Sequence, residues 1–383
     1  MDISTIDPNF ATVTVKDEDD VKWISAHDER MSLYGVYYDK DEGLYMRMPV
    51  DIAMAANEKL GWAVIMTTGG RLRFVTDSPY IVIKASLPAF APMPHMTIRG
   101  SHGFGVYADG FFENSYSPNF KDFLSVGQDS PLKQRIYFAQ KNTLFHKNTT
   151  RGENHKSIID VYFPLYGGVA ELYLGVAQGS VIEKAPEYEI KKPLVFYGSS
   201  ITQGACASHP GNDYTAMIAR RLNADYINLG FSGNGNAEAP MIDYINGIDG
   251  SLFAFDYNMY EKFPDRVLPP HYSIYERIRE KHPGVPILMY DKPASDYTFY
   301  QKREDTIRET YERAVSEGDE LVAFVSAHEL FGEGDRDACT VDASHPTDFG
   351  AVRITEALFP VIKALLDKAN KQLNLKINRN KNV

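Results

Sequence analysis

The stretch Leu194-Val195-Phe196-Tyr197-Gly198-Ser199-Ser200-Ile201-Thr202-Gln203-Gly204 decides how the rest of the chain is read. Four apolar residues in a row, a glycine and two serines form the pattern of a buried strand that ends in a tight turn. Ligands of open α/β sheets bind outside the carboxyl ends of the strands, so a serine on this turn stands where chemistry is done. Ser200 is therefore a candidate nucleophile. Small hydroxyl residues also favour turns for their local hydrogen bonds, so the reading depends on partners elsewhere in the chain.

Outward from this stretch, apolar runs recur at 194–197, 226–229, 252–257, 286–290 and 321–326. They read as five parallel strands buried on both faces. Helical patterns lie between them: Tyr214, Ile218 and Leu222 share one face of residues 213–223, Asp213 can cap that helix, and residues 271–284 end on Pro283 and Gly284. The alternating charges of the segment from Phe299 to Asp319 read as the solvated face of a long helix. Strand-helix alternation with short connections predicts a three-layer, doubly wound α/β sheet.

Before residue 186 the pattern is different. Short segments rich in Tyr, Val, Ile and Phe, separated by Gly, Pro, Asp and Asn, predict an antiparallel sandwich. Gly69 and Gly70 between two apolar arms predict a hairpin turn, HMTIRGSHGFGVYA reads as a strand, and DIAMAANEKLGW is the expected helical region. The expected organisation is a β-sandwich domain at 1–185, a charged, proline-flanked linker at 186–193, an α/β domain at 194–375 and a polar tail at 376–383.

With 40 Lys and Arg against 51 Asp and Glu, the net charge is -11. That opposes binding to nucleic-acid phosphates or anionic lipid, and no basic stripe is present. No apolar run approaches the length of a membrane span, and the acidic N-terminus lacks the order of a signal peptide, so a cytoplasmic location is expected. Two cysteines, Cys206 and Cys339, make no disulfide framework in 383 residues and read as small buried thiols, with a regulatory thiol pair or a metal site as the alternative. His209, His271, His282 and His328 have no metal-ligand spacing. The sequence leaves monomer and homo-oligomer open.

A serine needs an adjacent base, a group that orients the base, and donors for the oxyanion. Each should lie at a strand exit. After the second strand, Gly230, Gly233 and Gly235 of NLGFSGNGN let a backbone N–H approach a ligand closely. After the third, Asn258 of DYNMY offers a side-chain amide. After the fifth, Asp342 precedes His345 by three residues, so that the carboxylate can hold the ring while its other nitrogen faces the serine.

These blocks resemble the SGNH (GDSL-type) hydrolase family over roughly residues 190–370. Gly198-Ser199-Ser200-Ile201-Thr202 matches the family's first block with Ser199 in place of its Asp, and maps the nucleophile onto Ser200. The glycine block puts a backbone donor at Gly233, and the last block matches Asp342 and His345 together with Pro346, Thr347 and Gly350. The Asn block departs from the pattern: a gapless match puts Tyr260 rather than Asn258 at the oxyanion position, so that Asn258 is the chemical choice of third donor, with the Tyr260 hydroxyl, or a hole made by the Ser200 and Gly233 N–H groups alone, as alternatives; loss of one such donor costs about 100- to 1,000-fold in turnover. The resemblance implies a flavodoxin-like strand order and a serine ester hydrolase acting on small acyl groups such as acetyl esters of sugars, with no metal or cofactor. An acyltransferase using the same residues and a catalytically weak carbohydrate-binding protein are the alternatives. The N-terminal half resembles the jelly-roll-like domain of one branch of the family, carried by YGVYYDKDEGLYMRMP. That likeness makes its aromatics and His102 candidates for substrate contact, although packing is the simpler role for His102.

Overall fold

The computed structural model describes residues 20–90, 92–124, 134–256, 271–293 and 301–381. Its C-terminal part is a parallel sheet of five strands: β1 (Ile190–Gly198), β2 (Ala224–Gly230), β3 (Leu252–Asp256), β4 (Ile287–Tyr290) and β5 (Val322–Val325). Their spatial order is 2-1-3-4-5, as in flavodoxin-like sheets. β1 lies between β2 and β3, so its carboxyl end opens onto the point where the winding reverses, the place such sheets reserve for ligands.

The alternation along β1 builds the layers. Val195 and Tyr197 join a core with Met241, Ile242 and Ile245 of one helix and Ile274 and Ile278 of another. Leu194 and Phe196 face the opposite layer, against Ile218 and against Ile354, Leu358 and Ile362 of the long helix Asp348–Lys381. Side chains such as Phe196, with no exposed surface, each contribute about 1.5–3 kcal/mol by leaving water. β1 begins at Ile190, which pairs with Ala224, and so starts within the stretch expected to be linker; the final helix continues to Lys381, into the residues expected as a polar tail.

The N-terminal part is antiparallel. Strands Val21–Ser25, Glu171–Ala177, Tyr80–Pro88 and Arg135–Thr143 form one sheet. Ile182–Lys184, Arg71–Thr76, Ser157–Tyr162, Phe104–Ala108 and Phe111–Tyr116 form the other, with Ser32–Tyr34 added on Arg71–Thr76. Phe74, Ile83, Val106, Val161 and Leu174 are among the side chains that fill the space between the two.

Two local readings need correction. Gly69 and Gly70 do not join a hairpin: the segment before them is helix, Glu58–Ala63, because Leu60 and Ala63 pack into the core shared with the α/β part. Gly69 has φ +80° and lies so close to Asn228 that a Cβ there would meet its side chain at 2.8 Å, so its glycine character reflects contact between the two halves. HMTIRGSH is a short helix, Ile98–His102, started by Thr97 whose hydroxyl accepts from the Gly100 N–H, and only Phe104–Ala108 is strand. The region DIAMAANEKLGW holds two helices, Val50–Ala56 and Glu58–Ala63, separated at Asn57.

Candidate active site

Gly198, the last residue of β1, is level with Gly230 of β2 and Asp256 of β3. The Ser199–Ser200 turn and the two neighbouring loops therefore leave the sheet in one row. Ser199 adopts extended backbone and caps a four-residue helix, Ser200–Gln203, its side chain accepting from the Ile201 N–H. At the first position of that helix the Ser200 N–H has no intrahelical acceptor.

Beneath the turn lies a carboxylate that the sequence reading passed over. Asp256 Oδ1 accepts from the Ser199 N–H at 2.9 Å, and Oδ2 accepts from the hydroxyls of Ser199 and Thr202, each at 3.0 Å. Asp256 is buried, and a side chain at Gly198 would collide with its carboxylate at 2.6 Å. Glycine before the serines is thus a matter of space.

From the last block, Asp342 and His345 lie on a tight loop ahead of the long helix, closed by a bridge between Thr340 and Pro346. Asp342 Oδ1 accepts from the backbone N–H groups of Ser344 and His345, while Oδ2 is 2.8 Å from His345 Nδ1. The other ring nitrogen, Nε2, is 2.9 Å from Ser200 Oγ. Burial pushes the Asp342 carboxyl upward, but the backbone and side-chain hydrogen bonds of His345 outweigh it and hold the group down at about 2. Gly350 lets the helix approach the loop: a Cβ there would lie 2.1 Å from the Cys339 carbonyl oxygen.

Gly233 has φ +67°, with open space around its Cα, so the backbone conformation rather than crowding calls for glycine. Its loop is stapled to the Ser199–Ser200 turn on both sides. The Phe231 N–H donates to the Gly198 carbonyl at 2.9 Å, the Ser232 N–H to Gln203 Oε1 at 2.8 Å, and Gly235 rests against Gly198 with no room for a Cβ. Arg47, buried, donates to the carbonyls of Gly230 and Ala63 and lies over the Phe231 ring, fixing the start of this loop from the N-terminal half. Asn258 and Tyr260 lie outside the described residues.

The N-terminal sandwich also carries the far side of the turn. Tyr166 Oη donates to the Ser200 carbonyl at 3.3 Å and Thr68 Oγ1 to the Gln203 carbonyl at 2.8 Å, while Gln203 Nε2 donates to the Leu165 carbonyl at 3.2 Å. The first two bonds fall on carbonyls of the four-residue helix, the Ser200 carbonyl also accepting from the Ala205 N–H, and the third ties the Gln203 side chain to the sandwich. His102 takes no part: it is buried with Nδ1 2.8 Å from Ser101 Oγ and its ring edge-on to Phe123, and burial lowers it to about 4. Tyr38 and Tyr45, in the segment expected to reach the mouth, pack in or against the sandwich core instead. The histidine that does reach the site is His95, whose ring centre is 5.4 Å from that of His345. It sits between Pro94 and Met96 with no periodic pattern to single it out. Cys206 stands beside it; both cysteines are free, and burial with the Asp342 charge pushes the Cys206 thiol up to about 12.

Residues 191–363 match the model of the GDSL-like lipase/acylhydrolase family, and residues 21–182 match that of the N-terminus of SGNH-hydro-type esterases. The chain belongs to the SGNH (GDSL-type) hydrolases, which are carboxylic ester hydrolases. A comparison with curated proteins returns no match. Among solved structures, a protein from Bacteroides ovatus described as a GDSL-like lipase aligns with a TM-score of 0.73 at 24% identity, over 91% of this chain and 98% of its own. The salicylyl-acyltransferase SsfX3 of a tetracycline biosynthetic pathway aligns at 0.66 and 18% identity, over 90% and 97%. A family two carbohydrate esterase from Clostridium thermocellum, in complex with cellohexaose, aligns at 0.52 and 15% identity, over 78% and 93%. At these identities the likeness is one of fold.

Proposed function

We propose that this chain hydrolyses small acyl esters, acetylated carbohydrates in particular, with Ser200 as nucleophile, His345 as general base and Asp342 as the group that orients the ring. The observation that carries the reading is the unbroken relay from Ser200 Oγ to His345 Nε2 at 2.9 Å and from His345 Nδ1 to Asp342 Oδ2 at 2.8 Å. Asp342 accepts a hydrogen bond from Nδ1–H, which holds the ring in the tautomer whose Nε2 lone pair takes the hydroxyl proton of Ser200. Ser200 Oγ then bonds to the ester carbonyl carbon. The carbonyl oxygen becomes an oxyanion held by the N–H groups of Ser200 and Gly233, with the Asn258 amide as third donor, or the Tyr260 hydroxyl in its place. His345 returns the proton to the departing alcohol, and water deprotonated by His345 resolves the acyl-enzyme.

The carbohydrate ester rests on the family and on a fold shared with an esterase solved in complex with cellohexaose. Hydrolysis of p-nitrophenyl acetate and release of acetate from acetylated oligosaccharides by wild type and Ser200→Ala test the reading. Equal rates for the two proteins overturn it. Product analysis with an added alcohol acceptor separates hydrolysis from acyl transfer to that acceptor.

A further inference from the structure

Among the described residues, one cluster brings together three side chains of metal-binding type, and it includes the proposed general base. Ligand atoms of His95, Cys206 and His345 all lie within 4.8 Å of one another. The three come from distant parts of the sequence: a loop of the N-terminal half, the turn that follows the nucleophile helix, and the last block. We propose that His95, Cys206 and His345 form a binding site for a thiophilic divalent cation, Zn2+ above all, and that its occupation switches the esterase off.

The donor set selects the ion. Two imidazoles and a thiolate suit Zn2+ or Cu2+, whereas Mg2+ and Ca2+ prefer oxygen ligands. Three protein ligands also leave the fourth tetrahedral position of Zn2+ to water. His345 is prepared for the role by its own partner: Asp342 on Nδ1 fixes the tautomer whose lone pair is on Nε2, the carboxylate–histidine arrangement that strengthens zinc ligands. Cys206 is held in an unusual way. Its φ of +66° is left-handed backbone that a non-glycine residue adopts at a cost, directly after a helix that ends on Gly204, itself at φ +96°.

Inhibition follows from counting lone pairs. Neutral His345 has one on Nε2, which accepts either the Ser200 hydroxyl proton or a metal ion. Coordination at that atom removes the base and leaves Ser200 protonated. Cys206 binds as thiolate, so each cation taken up releases the thiol proton to solvent. This proposal depends on the esterase reading only for its consequence; binding itself does not.

The test uses the purified full chain. Zn2+ is titrated against p-nitrophenyl acetate hydrolysis for wild type, His95→Ala and Cys206→Ser, each rate normalised to that protein's own rate in EDTA. The expected result is inhibition of wild type that EDTA reverses, with the half-inhibitory concentration raised about tenfold or more in both variants. In parallel, Co2+ added to wild type and to Ser200→Ala should give a thiolate-to-cobalt charge-transfer band that Cys206→Ser lacks. The band in Ser200→Ala reports the site even if Ser200 proves not to be the nucleophile. Equal half-inhibitory concentrations in all three proteins, or no band in wild type, would overturn the proposal.

Discussion

The buried carboxylate of Asp256 offers the sharpest test of how the Ser199–Ser200 turn is held. It accepts from the Ser199 N–H and from the hydroxyls of Ser199 and Thr202, and all three donors are buried with it. Hydrogen bonds to a charged acceptor are worth about 1.5–3 kcal/mol each, and a buried donor left without a partner costs about 1–3 kcal/mol. Asp256→Ala removes all three acceptor contacts at once, for a loss of about 3–5 kcal/mol, since the two hydroxyls can turn toward other acceptors and the backbone N–H cannot. Set against a total stability of about 5–15 kcal/mol, that variant is near the limit of folding. Milder variants keep the test readable. Thr202→Val deletes the bonds of this hydroxyl to Asp256 and to Tyr214 Oη and should lower stability by about 1–3 kcal/mol, and Asp256→Asn keeps one acceptor oxygen and should cost less than Asp256→Ala. Urea denaturation measures these losses. Because the same bonds set the position of Ser200, both milder variants should also lose turnover, up to about 100-fold for a displacement near 1 Å, with KM little changed. Wild-type midpoints and wild-type kcat in Thr202→Val and Asp256→Asn would refute the claim that this carboxylate fixes the turn.

Other outcomes follow from the same geometry. Gly233→Ala should cost about 1–2 kcal/mol from its positive φ alone, whereas Gly235→Ala, whose Cβ would lie 2.2 Å from the Gly198 carbonyl oxygen, should prevent the two loops from meeting and abolish activity; thermal melts and initial rates distinguish them. Tyr166→Phe removes one donor to the Ser200 carbonyl and should lower stability by about 1 kcal/mol in urea melts. Asp342 is held down at about 2, so its contribution to stability is present above the carboxylate's ordinary value and is lost as pH falls through that value toward 2; unfolding of Asp342→Asn should therefore be less sensitive to acid in this range than that of wild type. Of Asn258→Ala and Tyr260→Phe, the one that supplies the third oxyanion donor should lose about 100- to 1,000-fold in kcat.

The α/β half was legible because its strands are buried on both faces and its helices carry clear stripes, and both patterns are local. The row of Gly198, Gly230 and Asp256 puts the blocks at one edge, so their spacing along the chain already pointed to Ser200, Asp342 and His345. What escaped the sequence was contact between the halves. Gly69 reads as a hairpin glycine, yet its neighbour is Asn228, and Leu60 and Ala63 form helix because they cover the other half's core. His102, in a glycine-rich segment, draws attention, whereas His95 owes its place beside His345 to the way the sandwich docks. Asp256 looked like the polar end of a strand; only the turn above it reveals what it accepts.

The central claim is that Ser200, activated by His345, forms the acyl-enzyme. It is met most directly by mass spectrometry of the chain after reaction with a fluorophosphonate, a serine-directed reagent that loses fluoride as the phosphorus–oxygen bond forms. The account predicts one adduct, on the peptide carrying Ser200, strongly slowed in His345→Ala and absent in Ser200→Ala. Labelling of Ser200→Ala to the wild-type extent, or an adduct on another residue of the wild type, would contradict it.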